Sequence, residues 1–123
     1  MNVAILVCNE MVSPRLDMAP ELLILVVEDG EVKNERRIVI DKLNPLQRLN
    51  KFVEEKVDVL ICGAVNGFCM RFLHCNNIEV IPWIAGSVSE IKELFLKGEL
   101  QPGEMLMGRR YRLGRRFHRG GWF

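Results

Sequence analysis

The 123-residue chain has no apolar run near the roughly 18 to 20 residues that a membrane span requires. Its start shows no basic segment, long apolar stretch or small-residue cleavage site, so no signal peptide is expected and the expected location is cytoplasmic. Four cysteines are present, none in a Cys-x-x-Cys pair, which speaks against a structural zinc site. In a reducing compartment they read as thiols and not as a disulfide framework. Histidine is scarce, with only His74 and His118, and neither sits near a serine elbow. Asp17, Asp41 and Asp58 are dispersed. General acid–base or nucleophilic catalysis therefore has no constellation to work with, and the expectation is a protein that is not an enzyme.

Apolar residues make up 49 % of the chain and charged residues 27 %, the profile of a folded domain able to bury a core without staples. The net charge of +1 conceals an asymmetry. Residues 1–107 hold 11 Lys or Arg and all 16 acids, while residues 108–123 hold six arginines and no acid. This division predicts a globular domain over 1–107 and a disordered arginine tail over 108–123. The tail mixes arginine with Tyr111, Phe117, Trp122 and Phe123. It can bind a polyanion such as nucleic acid, or an acidic protein surface, or fold back on the acidic body.

Asn2–Cys8 is almost continuously apolar, as a strand buried on both faces would be. Residues 10–20 hold two prolines and read as a long, functional loop. Glu21–Glu28 and residues 31–40 flank Asp29-Gly30, a strong hairpin signal. Asn44-Pro45 starts a helix over 45–56, with Leu46, Leu49, Phe52 and Val53 on its apolar face. A buried strand at 57–62, a helix at Gly67–Cys75 and a strand at 78–81 follow. Ser87 with Glu90 three residues later reads as a capping box for a helix over 88–97. The predicted fold is a three-layer α/β domain with a five-stranded mixed sheet. Its strand order is 3-2-1-4-5, with only the second strand antiparallel to the rest and right-handed crossovers into the last two. The first two helices should share one face of the sheet and the third should cover the other.

Ligands in open α/β folds bind outside the carboxyl ends of the strands. Three loops meet there: 10–20, 63–66 and 83–87. Cys8 and Cys62 end neighbouring strands and can ligate a soft metal, or serve simply as small buried hydrophobes. Amides around Gly63, Asn66 and Gly67, and around Gly86 and Ser87, can hold an anion or merely form tight strand-to-helix turns. Arg15 can compensate the charge of such an anion. Cys69 and Cys75 fall on opposed helix faces and cannot share a ligand. His74, near a helix C-terminus, reads as a surface residue.

Val12-Ser13-Pro14 followed by Ala19-Pro20 carries a resemblance, as do residues 57–63, 78–81 and Gly86-Ser87-Val88 leading to 96–100. In order and spacing these segments resemble the dinitrogenase iron–molybdenum cofactor biosynthesis family over about residues 1–100. The resemblance implies a ribonuclease H-like fold. It also implies binding or carriage, without turnover, of iron–molybdenum cofactor, its precursors, or other molybdenum- or copper-containing sulfide clusters. The implied partners are the proteins that donate and accept the cluster, the chain itself being a monomer or a weak homo-oligomer. Where the family commonly reads His-Phe-Gly-Arg, this chain has Arg15-Leu16-Asp17-Met18, and the second glycine after Cys62-Gly63 is Ala64. The cluster contacts then fall to Cys8, Arg15, Cys62, Gly63, Asn66, Gly86 and Ser87, with Cys8 and Cys62 as metal ligands. The alternative is a nucleic-acid or protein-binding module that kept the fold, lost the cluster and uses the tail. Two-metal nuclease chemistry is disfavoured, since it needs clustered carboxylates.

Overall fold

The computed structural model describes residues 1–106 and 110–112. Its order of elements is β1 (Asn2–Cys8), β2 (Met11–Val12), a single 3-10 turn (Leu16–Met18), β3 (Glu21–Glu28), β4 (Glu31–Val39), α1 (Pro45–Glu54), β5 (Val59–Ile61), α2 (Gly67–Cys75), β6 (Glu79–Ile81), α3 (Val88–Leu96), β7 (Glu104–Leu106) and β8 (Arg110–Arg112). The main sheet runs β4-β3-β1-β5-β6, the path expected for the five long elements, with β5 and β6 parallel to their neighbours and β3 antiparallel to both of its own.

One expectation is corrected. The sheet has six strands, not five: within the expected loop, Met11–Val12 folds back on the end of β1, pairing Val7 with Val12. Beyond the main sheet, β7 (Glu104–Leu106) and β8 (Arg110–Arg112) pair antiparallel. The expected disorder of the tail otherwise falls on residues outside those described.

Alternation along the strands sorts the core into two layers. Ala4, Leu6, Leu22, Ile24, Leu60, Cys62 and Val80 face Leu49 and Phe52 of α1 and Cys69 and Leu73 of α2. Val3, Ile5, Val7, Leu23, Leu25, Val59, Ile61 and Ile81 face Val88, Ile91 and Leu94 of α3. Helices α1 and α2 therefore share a face and α3 covers the other, the consequence of successive crossovers of one hand followed by an exit across the sheet edge. The β3–β4 hairpin closes through Asp29 and Gly30, both at positive φ (54° and 76°), as a two-residue turn of that sequence requires.

Helix α1 departs from its expected pattern. Asn44 and Gln47 form a reciprocal capping box, and Leu49 and Phe52 are buried, but Leu46 and Val53 are exposed. Their place in the interior is taken by Arg48, which is 4 % exposed. Its guanidinium donates to the carbonyls of Leu43, Leu16 and Ala19, tying α1 to the 3-10 turn. Burial lowers its pKa, opposed by the carboxylates of Asp17 and Asp41.

Candidate functional site

The carboxyl edge of the sheet is built around Gly63. Ser13 is buried and donates its N–H to Leu6 at 2.8 Å, which presses the Ser13-Pro14 segment onto the end of β1. Ala64 N–H donates to the Pro14 carbonyl at 2.7 Å, Leu16 N–H to the Ala64 carbonyl at 3.2 Å, and Arg15 and Ala64 form a parallel bridge. A Cβ on Gly63 would overlap the Ser13 and Pro14 carbonyls, so only glycine permits this approach. The stitched segments wall a cleft of about 280 Å³ lined by Arg15, Leu16, Asp17, Pro45, Ala64, Val65, Asn66 and Cys69.

Arg15 and Asn66 meet at this cleft. Asn66 caps α2, its Oδ1 accepting from Cys69 N–H at 2.8 Å, while the amides of Gly67 and Phe68 occupy the first helical turn, where no intrahelical acceptor exists. The N-terminus of α1 also reaches the cleft through Pro45. Arg15 is not free: it pairs with Asp17, Nη2 to Oδ2 at 2.7 Å and Nε to Oδ1 at 3.0 Å. The mouth thus holds a neutralised cation rather than a bare one.

The remaining predicted residues lie elsewhere. Gly86 and Ser87 are held on the other side of the β1–β2 turn: Gly86 accepts from Val12 N–H at 2.9 Å, Ser87 bridges to Met11, and Val88 N–H donates to Glu10. Ser87 caps α3 by accepting from Glu90 N–H, but the Glu90 carboxylate accepts from the Ser87 hydroxyl and not from the Ser87 backbone. Cys8 is half-buried at the end of β1 and lines neither of the clefts described here. Cys62 is fully buried under α2, where burial pushes its thiol up to about 12. It packs there among the apolar side chains of that layer.

Cys69 lines the cleft and was missed as a site residue, although its helical spacing from Cys75 already separated a buried thiol from an exposed one. Burial and the Asp17 carboxylate raise its pKa, against a lowering hydrogen bond from Asn66, so its sulfur meets the cleft as a thiol. Among the described residues no three His, Cys, Asp or Glu side chains are grouped to hold a metal ion, and no helix is long and apolar enough to cross a membrane. A second, open cleft of about 600 Å³ is lined by Asn9, Glu10, Pro20, Glu21, Val39 and Asp41. Arg37 bridges its Glu10 and Glu21 at 3.0 and 3.2 Å. Its acids disfavour an anion.

The buried Cys62 thiol makes the fold alkali-sensitive. Its folded pKa lies above the ordinary value of 9.0, so between pH 9 and 12 the unfolded chain has released a proton that the folded chain keeps. Stability then falls as pH rises. The expected loss from this group is about 2 kcal/mol between pH 9 and 10.5. Urea midpoints across that range should fall less steeply in Cys62→Ala than in the natural chain; parallel slopes would show that Cys62 ionises freely when folded.

No family model matches the chain, and no curated protein matches it in sequence. Solved structures do match its fold. The "putative dinitrogenase" of Methanocaldococcus jannaschii superposes with a TM-score of 0.70 at 26 % identity, covering 82 % of this chain and 92 % of that one. The "putative NifB protein" of Thermotoga gives 0.63 at 22 % identity, over 88 % and 98 % of the two chains. The apo form of the orange protein from Desulfovibrio gigas gives 0.68 at 16 % identity, over 90 % and 96 %.

Proposed function

We propose that this chain binds and carries an anionic metal–sulfur cluster, of the iron–molybdenum or molybdenum/copper sulfide kind, as a non-catalytic accessory protein of the dinitrogenase iron–molybdenum cofactor biosynthesis family. Its partners in this reading are cluster donor and acceptor proteins in the cytoplasm. The carrying observation is the cleft at the carboxyl edge of the sheet, with Arg15 at its mouth and the α2 N-terminus in its wall, in a fold shared with the M. jannaschii protein. The ribonuclease H-like classification belongs to the same proposal and is supported by the order β4-β3-β1-β5-β6.

An anionic sulfide cluster needs compensating charge and donors more than it needs ligands of one type. The Gly67 and Phe68 amides can donate to outer sulfides. Arg15 supplies charge once its pairing with Asp17 is exchanged for the cluster. Cys69 presents a soft group in the same cleft. Cys8 and Cys62 are not needed for retention.

Anaerobic incubation with tetrathiomolybdate, gel filtration and absorption of the protein peak test the reading. Arg15→Ala is expected to weaken retention roughly fivefold, the scale of an exposed charge contact. Asp17→Asn should strengthen it, because it frees Arg15 and removes a repelling charge. Retention unchanged in both variants, or lost only in Cys8→Ala/Cys62→Ala, would place the anion elsewhere.

A further inference from the structure

The two ends of the main sheet are unequal: β6 is three residues long and β4 is nine. Among the described residues β4 pairs only with β3. Ile40 N–H donates to the Pro20 carbonyl at 2.9 Å, which fixes the phase of the ladder. Hydrogen-bonded positions alternate along an antiparallel pair. Carried along the β3–β4 register, Ile38, Arg36 and Asn34 exchange their backbone bonds with β3, while Val39, Arg37 and Glu35 turn their N–H and carbonyl groups outward. The register shift that leaves Lys33 without an opposite residue ends this regular stretch.

Such an edge invites another strand, and proteins blunt it with proline, short length or charge. β4 contains no proline, and its charges are drawn off over the two faces of the sheet. On the α3 face Glu35 pairs with Lys92 at 3.3 Å, and Arg37 pairs with Glu10 and Glu21 at 3.0 and 3.2 Å. On the other face Arg36 pairs with Glu55, next to the end of α1.

A second copy of the chain fits this edge. A two-fold axis sets a strand antiparallel to itself, and outward backbone groups must then oppose outward backbone groups. Two centres keep the longest regular run paired: Arg36, which pairs Asn34–Ile38, and Arg37, which pairs Glu35–Val39. Centring on Arg37 opposes two arginines at the axis and sets Glu35 against Val39, which is unfavourable. Centring on Arg36 sets Glu35 of each copy opposite Arg37 of the other, twice. The like pair in this register, Arg36 with Arg36, falls on the opposite face, where each is already neutralised by its own Glu55.

We propose that β4 pairs antiparallel with β4 of a second copy across a two-fold axis at Arg36, joining two sheets into one. The backbones of Glu35 and Arg37 exchange hydrogen bonds with Arg37 and Glu35 of the partner, and their side chains extend the existing ion pairs across the axis. No residue of β4 lines the cluster cleft, so the proposal stands apart from the cluster reading.

One strand pair buries less than the roughly 1,600 Å² of a standard interface, so a dissociation constant on the order of 100 µM is expected. Sedimentation velocity of the full chain from about 5 to 500 µM spans that range. The natural chain should pass from monomer to dimer. Glu35→Arg and Arg37→Glu each place like charges across the axis and should weaken the dimer at least tenfold. An equimolar mixture of the two variants restores both opposite-charge pairs and should dimerise like the natural chain. Circular dichroism and melting midpoints check that the variants fold. Amide exchange of the natural chain gives a reading that needs no variant. Protection at Glu35 and Arg37 should rise with concentration, while Arg36 is protected throughout. A monomer at every concentration overturns the proposal. So does a dimer that neither variant weakens, a mixture that stays monomeric, or exchange at Glu35 and Arg37 that ignores concentration.

Discussion

Gly63→Ala is expected to destabilise the protein by about 3 kcal/mol and lower its melting midpoint by roughly 12 °C. The added methyl meets backbone, the carbonyls of Ser13 and Pro14, and not the end of a flexible side chain. These carbonyls cannot retreat cheaply. Pro14 accepts from Ala64 N–H, Ser13 N–H is fixed to Leu6, and the Ser13 hydroxyl donates to the Arg15 carbonyl at 3.1 Å. Moving the segment breaks those bonds together and opens the cleft, so anion retention should fall with stability. Gly67→Ala is the control. Its Cβ would meet only Arg71 Nη1 at 3.4 Å, and a change within about 0.5 kcal/mol is expected. Equal melting of the natural chain and Gly63→Ala in a calorimeter would show that the Ser13-Pro14 segment is not packed against Gly63 as described.

Arg48→Met should cost about 3 kcal/mol. The thioether can fill part of the volume of the arginine stem, but it leaves the Leu43, Leu16 and Ala19 carbonyls without their donor. Arg48→Lys should recover only part of the loss, because one ammonium cannot reproduce a planar fork directed at several acceptors. The expected order of urea midpoints is arginine, then lysine, then methionine. Lysine and methionine variants of equal stability would mean that packing of the stem, not the fork, is what matters. Leu16 also lines the cleft, so the methionine variant should bind anions more weakly even where it is fully folded.

These two residues differ in how readable they were. Glycine at 63 was identifiable as part of a tight strand-to-helix turn, but what it packs against lies some fifty positions away and leaves no local trace. Arg48 was hidden by the rule that charges mark the wet face of a helix. Hydrophobic spacing promoted Leu46 and Val53 to the core in its place, because periodicity cannot see that a long aliphatic stem is able to bury itself when carbonyls wait at its end. The strand order was legible because a tight Asp-Gly hairpin and two helical crossovers leave few chiral alternatives. The short strand Met11–Val12 was not, since two residues carry no period and Pro14 and Pro20 in the same segment argued for a loop. At the site, alternation alone could not say which neighbouring thiol is accessible. Cys62 falls on the face covered by α2, and that cover comes from a helix whose docking is tertiary.

The central position of β1 has a consequence for the order in which the fold can assemble on the ribosome. Of the strands in this sheet, β1 is made first and lies at the centre, between β3, paired from Asn2 with Val26, and β5, paired from Val3 with Val59. The first partner emerges after about two dozen residues, and the meander can close by local zipping. The second is more than fifty residues away, so through that interval one edge of this largely apolar strand has no pairing partner. The nascent chain is therefore most in need of chaperone protection between the emergence of β4 and that of β5, a window set by topology rather than by the stability of the finished domain.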